Sequence, residues 1–136
     1  MPCRGAFVTL YRMAEAGKYS INLDVQFKPL ELVDVPALAA AVNEEWFNQT
    51  LCQVNDCVVR LGVFKKGEFH WHKHEKEDEF FFVLQGSFVI ELEKERVVLK
   101  PHQGFTVPRG IQHKTLVTEP AVVLMMEAAS VKPIGD

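Results

Sequence analysis

Basic charge, long apolar runs and paired cysteines are all scarce in this 136-residue chain, and each scarcity removes a class of function. Lys and Arg total 15 against 18 Asp and Glu, a net charge of −3, so no basic footprint argues for nucleic acid. Lysines and arginines are dispersed, and the densest charge run, Lys73–Glu79, is mixed in sign. No apolar stretch approaches the ~20 residues that span a membrane as a helix. Near the N-terminus, Ala6–Tyr11 is too short and too soon broken by Lys18 and Asp24 to be a signal-peptide core, so a cytoplasmic location is expected. The cysteines are Cys3, Cys52 and Cys57, with no Cys-x-x-Cys pair to suggest a zinc site. A reducing compartment disfavours disulfides, so they are read as reduced, buried thiols acting as small hydrophobes. No short repeat, low-complexity tract, phosphate-binding loop or obvious nucleophile–base pair is present.

What is present is histidine at a telling spacing. His70, His72 and His74 occupy alternate positions within Gly67–Gly86, and Glu79 opens the apolar stretch that follows. An extended chain turns alternate side chains to one face, so the three imidazoles are expected to point the same way. Neutral imidazole with carboxylate suits a divalent transition metal. A second segment, Leu99–Val117, places His113 three residues after Gly110, beyond a Pro108-Arg109-Gly110 turn. Parity selects among the acids. If Glu79 faces inward, so do Phe81 and Val83, whereas Asp78 points outward with Phe80 and Phe82.

These segments resemble the two signature motifs of the cupin superfamily, most closely those of small single-domain cupins loosely labelled mannose-6-phosphate isomerase-like. His72-x-His74, four residues, Glu79, six residues and Gly86 are similar to the first motif. Pro108-x-Gly110, two residues and His113 are similar to the second. His102 stands where the second motif usually opens with glycine, and Val117 where an asparagine often stands. The resemblance implies an all-β fold, the cupin double-stranded β-helix or jelly-roll barrel, here with an N-terminal helix. It also implies metal ligands His72, His74, Glu79 and His113.

The rest of the chain fits one domain. Residues 1–33 are read as an arm or extension, with a weak helix over Ala6–Ala16, and residues 34–136 as the cupin domain with its leading helix. That helix begins near Asp34, a plausible N-cap, with Pro36 in its first turn. Val35, Leu38, Val42 and Trp46 form its packing stripe. From about Thr50 the pattern is β, with a hairpin at Asn55-Asp56 and further strands expected at 69–74, 79–85, 87–93, 96–100, 104–108, 113–118 and 121–128. Arg60 is read as a solvated strand arginine in preference to an inward-facing one reaching an acidic ligand, His102 and Arg109 as exposed, and Met125 and Met126 as core filling. Thr115 and Val117 share the face of His113. Trp71 is expected to face the other sheet layer or a partner.

Three functional readings remain open at this point. One is a metal-dependent enzyme on a small molecule, with Fe(II) or Mn(II) preferred and Zn, Ni, Co or Cu compatible with the same ligands. On family analogy its reaction is oxygenation, isomerisation or decarboxylation, with His70 the candidate catalytic proton carrier. The second is a small-metabolite-binding module without turnover, and the third a structural metal site. His70 is otherwise a ligand contact or a packed histidine. Outward phenylalanines and the helix stripe predict a homodimer; no nucleic acid or membrane partner is expected.

Overall fold

The computed structural model describes residues 19–136. Its elements are β1 (Ser20–Asn22), α1 (Val35–Ala40), β2 (Trp46–Val54), β3 (Cys57–Phe64), β4 (Gly67–Glu68), β5 (Glu79–Gln85), β6 (Phe88–Leu92), β7 (Arg96–Leu99), β8 (Gly104–Val107), β9 (His113–Val117) and β10 (Ala121–Ala128). They form two sheets, ordered β1-β2-β3-β10-β5-β8 and β4-β9-β6-β7. Only β1 pairs in parallel, against β2. This is the all-β architecture expected, and the Asn55-Asp56 hairpin closes with Asn55 at φ 53°.

The strands are rich in β-branched, aromatic and other apolar residues, and in β5, β9 and β10 burial alternates along the strand. In β5, Glu79, Phe81 and Val83 are buried while Phe80 and Phe82 are half-buried. In β10, Ala121, Val123, Met125 and Glu127 are buried, and in β9, His113, Thr115 and Val117. These inner faces enclose a core of Trp46, Phe64, Phe69, Phe81, Phe88, Ile90 and Val123, to which both sheets contribute. The interior changes character along the strands. Val123 pairs with Val83 at the apolar end, Met125 with Phe81 midway, and Glu127 with Glu79 at the polar end.

A second cluster covers part of the outer face of the larger sheet. Leu51, Leu61 and Val63 pack there beneath Phe27, Val33, Val35, Leu38 and Val42. The Asp34 carboxylate caps α1 by accepting from the Ala37 amide at 3.1 Å. The helix is only six residues long, and Trp46 does not belong to its stripe. Instead Trp46 opens β2 and stacks on Phe64 at 4.2 Å between ring centroids. Its helical spacing from Val42 was fortuitous, because Asn43–Glu45 turn the chain before the strand begins.

Other expectations also change. The 69–74 segment is not a regular strand; beyond β4 it meets β9 at one isolated bridge, His72 to His113. Arg60 is buried at 2% exposure, Met126 is 40% exposed, and Cys57 is exposed while Cys52 is half-buried. Neither cysteine is in a disulfide. Trp71 is 47% exposed, which rules out the other sheet layer of the two surroundings expected for it. Cys3 and the Ala6–Ala16 helix lie outside the described residues.

Candidate metal centre

The polar end of the interior is assembled by strand pairing. β5 contributes Glu79, β9 contributes His113, and the segment before β5 contributes His72 and His74. The His72 amide donates to the His113 carbonyl at 3.0 Å, and the His113 amide returns the bond to His72 at 2.9 Å. The Gly110 amide donates to the His74 carbonyl at 2.8 Å, and the Arg109 amide to Asp78 Oδ1, also at 2.8 Å. The turn of the second motif is therefore docked on the first. This replaces the strand that alternation alone predicted and still turns His72 and His74 inward.

His72, His74, Glu79 and His113 are all buried, and one ligand atom from each lies within 4.8 Å of every other. His72 Nδ1 is 2.8 Å from the His70 carbonyl and His113 Nδ1 is 2.9 Å from the Ile111 carbonyl. Each carbonyl can only accept, so it fixes the proton on Nδ1 and leaves Nε2 as a lone pair. His74 Nε2 and His113 Nε2 lie 3.7 and 3.6 Å from Glu79 Oε1, too far for hydrogen bonds, and neither has another partner. Buried imidazole nitrogens without a partner among the described residues, beside a carboxylate, are costly unless something joins them. A divalent cation satisfies all of them at once. The spacing of the four ligand atoms, all within 4.8 Å of one another, would suit such an ion.

Burial, followed by the neighbouring His113, lowers the His72 pKa to about 3, which keeps the ring neutral and able to ligate. Burial alone would raise Glu79. The adjoining Glu127, with His113 and His74, more than offsets it and holds Glu79 well below the usual carboxylate range. Burial and then the Glu79 charge push Glu127 well above that range, with Arg60 acting against them. Of this adjoining pair, Glu127 is therefore the harder to ionise.

Thr115 borders the centre as expected, whereas His102 and Arg109 lie exposed. His70 stands outside the four-ligand group. Its ring centroid is 5.2 Å from that of His72, and its Nε2 lies 2.7 Å from the Ile134 carbonyl. Arg60, Glu127, Asn48 and Thr50 were not anticipated here. Glu127 did carry a signal, since it continues the inward parity of Val123 and Met125. Arg60 carried none, because β3 is apolar on both faces and its alternation is lost.

A cavity of about 30 Å³ adjoins the ligands, lined by Trp46, Phe69, Phe81, Phe88 and Met125, with Asn48 and Thr115 as polar points and Pro133 at its edge. A larger hollow of about 160 Å³, bordered by Tyr19, Glu45, Lys66 and Glu68, has no converging ligand set. Its Lys66–Glu45 pair is solvent-exposed.

Residues 60–127 match the family described as the cupin domain. The uncharacterized protein YdbB of Bacillus subtilis (strain 168) is 42% identical over 80 residues, covering 58% of this chain and 70% of YdbB. A cupin-2 domain containing protein from Shewanella frigidimarina NCIMB 400 superposes with a TM-score of 0.67 at 25% identity, over 71% of this chain and 94% of that one. KdgF from Halomonas sp. gives a TM-score of 0.59 at 25% identity, over 66% and 85%. Sequence, sheet order and buried His/His/Glu/His cluster agree, and the chain belongs to the cupin superfamily.

Proposed function

We propose that this cupin binds a divalent transition metal through His72, His74, Glu79 and His113 and acts on a small molecule at that ion. The observation that carries the reading is the buried convergence of three imidazoles and one carboxylate, with the Nε2 atoms of His74 and His113 lacking partners. Fe(II) or Mn(II) is the preferred ion on this donor set, with Zn, Ni, Co and Cu also compatible. When bound, such an ion supplies Lewis-acid polarisation of a coordinated oxygen donor or electron transfer with dioxygen. Oxygenation, isomerisation and decarboxylation are the reaction classes proposed.

The chain's own contribution is orientation and exclusion of water. Carbonyls of residues 70 and 111 hold two ligand rings in place. The aromatic lining makes much of the adjoining space apolar, and Asn48 and Thr115 offer hydrogen bonds for a polar ligand group. A cavity of about 30 Å³ holds water or a group of a few atoms, so a larger ligand requires movement of the segment bearing Pro133. That segment also holds the His70 ring through Nε2, so a proton-carrying role for this nitrogen requires its release from Ile134. The proposal includes a cytoplasmic homodimer, with residues 34–136 as the cupin domain and 1–33 as its extension. Light scattering of the purified protein should give twice the chain mass.

Metal analysis of variants tests the ligand set. His72→Ala and His113→Ala should each lose most bound metal, while His102→Ala and His70→Ala retain it. Full occupancy in both ligand variants overturns the assignment. With metal retained, weaker ligand binding or turnover in His70→Ala supports its catalytic role; unchanged behaviour makes it a packed residue.

A further inference from the structure

We infer that Glu127, anchored by Arg60, is a positioning residue for the Glu79 carboxylate and so sets how tightly the centre holds its ion. The inference rests on the metal-binding reading above. Glu127 and Glu79 are directly paired across β10 and β5, both facing inward, at 4% and 6% exposure. On the other side of β10, Arg60 of β3 is 2% exposed and places Nε 3.4 Å from Glu127 Oε1. Its two terminal nitrogens donate to Thr50 Oγ1 and Asn48 Oδ1 on β2. A polar chain thus crosses β2, β3, β10 and β5 and ends at a proposed metal ligand.

Stability does not account for this arrangement. A buried ion pair costs several kcal/mol per ion to desolvate, and apolar replacements often pack as well or better. The apolar end of the same interior shows that these strands accommodate such residues. What the charged chain provides is direction. Glu127 adjoins Glu79 on the neighbouring strand, and Arg60, held on Thr50 and Asn48, pairs with Glu127 in turn. Carboxylate ligands held this way keep one oxygen aimed at the ion, and loss of such partners typically costs 10–100-fold in metal affinity.

Co(II) is the probe, titrated into metal-stripped protein against a chromophoric chelator, with the visible spectrum recorded and folding checked by circular dichroism. His72→Ala serves as the reference for a lost ligand. Glu127→Leu should weaken Co(II) binding about 10–100-fold and alter the spectrum. Glu127→Gln, which can still accept from Arg60 and donate to Glu79, should restore affinity to within about threefold of the unmodified protein. Wild-type affinity and spectrum in folded Glu127→Leu would overturn the inference. So would a Glu127→Gln variant as weak as His72→Ala, because Glu127 would then be a ligand. If Glu127→Leu does not fold, Arg60→Lys decides. Weaker binding with an intact fold supports positioning, and unchanged affinity overturns it. Should the unmodified protein bind Co(II) no better than His72→Ala, the metal-site reading fails and takes the inference with it.

Discussion

Gly86 and Gly110 share a left-handed backbone, at φ 80° and 79°, but differ in their surroundings. A Cβ at Gly86 would lie 2.0 Å from the Pro120 carbonyl oxygen, whereas one at Gly110 would meet nothing within 4 Å. Only the backbone penalty applies at Gly110, about 1 kcal/mol for alanine. At Gly86 the main chain of the β9–β10 connection must also move. Gly86→Ala should therefore lose more than about 3 kcal/mol or fail to fold, while Gly110→Ala loses about 1. Urea denaturation of the two variants compares them directly. Equal losses would mean that crowding at Pro120 is relieved without cost.

Among the elements, the stretch between β4 and β5 depends most on its neighbours. It makes one bridge to β9 and is held on its other side by the C-terminal segment. Asp136 donates its amide to the Lys73 carbonyl at 3.0 Å and accepts from the Glu75 amide at 2.6 Å. Gly135 lies so close to His72 that an added Cβ would fall 2.7 Å from the His72 Cβ. Deleting residues 131–136 should leave the two sheets folded but free the histidine segment and open the cavity edge. Metal removal by excess chelator should then be at least several-fold faster, as stopped-flow measurement would show. An unchanged rate would mean that release is limited elsewhere.

For the whole molecule, the buried ionisable groups predict how metal-free stability varies with pH. His72 has a folded pKa of about 3 against 6.5 unfolded, so below pH 6.5 the unfolded chain gains a proton that the fold does not. That lowers stability as pH falls. Glu127 acts oppositely: its folded pKa is raised, so above its usual 4.5 the fold keeps a proton that the unfolded chain releases, lowering stability as pH rises. Each effect has a slope of about 1.4 kcal/mol per pH unit where it acts. Above pH 4.5 and below 6.5 the two effects oppose each other. Below 4.5, Glu79, with its depressed folded pKa, adds to the loss. Stability of the stripped protein should therefore fall most steeply below pH 4.5 and vary less with pH above it. Glu127→Gln should steepen the rise of stability with pH just above 4.5, because His72 then acts unopposed; an unchanged slope would mean that Glu127 ionises in the fold as it does unfolded. Chemical denaturation across pH tests both statements.

The sequence by itself determined the β architecture, the hairpin at Asn55-Asp56 and the residues that form the buried cluster. These are legible because alternation, turn chemistry and ligand spacing are local patterns that survive in one dimension. It also indicated Glu79 over Asp78, since the inward parity of Phe81 and Val83 extends to it. Only the tertiary structure decided that Trp46 opens a core strand and that the histidine segment is held by docking. It also decided that Arg60 is buried beside Glu127. Those outcomes depend on which face a neighbouring element covers. The outer cover formed by residues 27–42 makes β3 apolar on both sides, so a charge within it has no alternation to place it. Strand order then sets Arg60, Glu127 and Glu79 side by side from positions up to 67 residues apart, a proximity that arises only when the sheet closes.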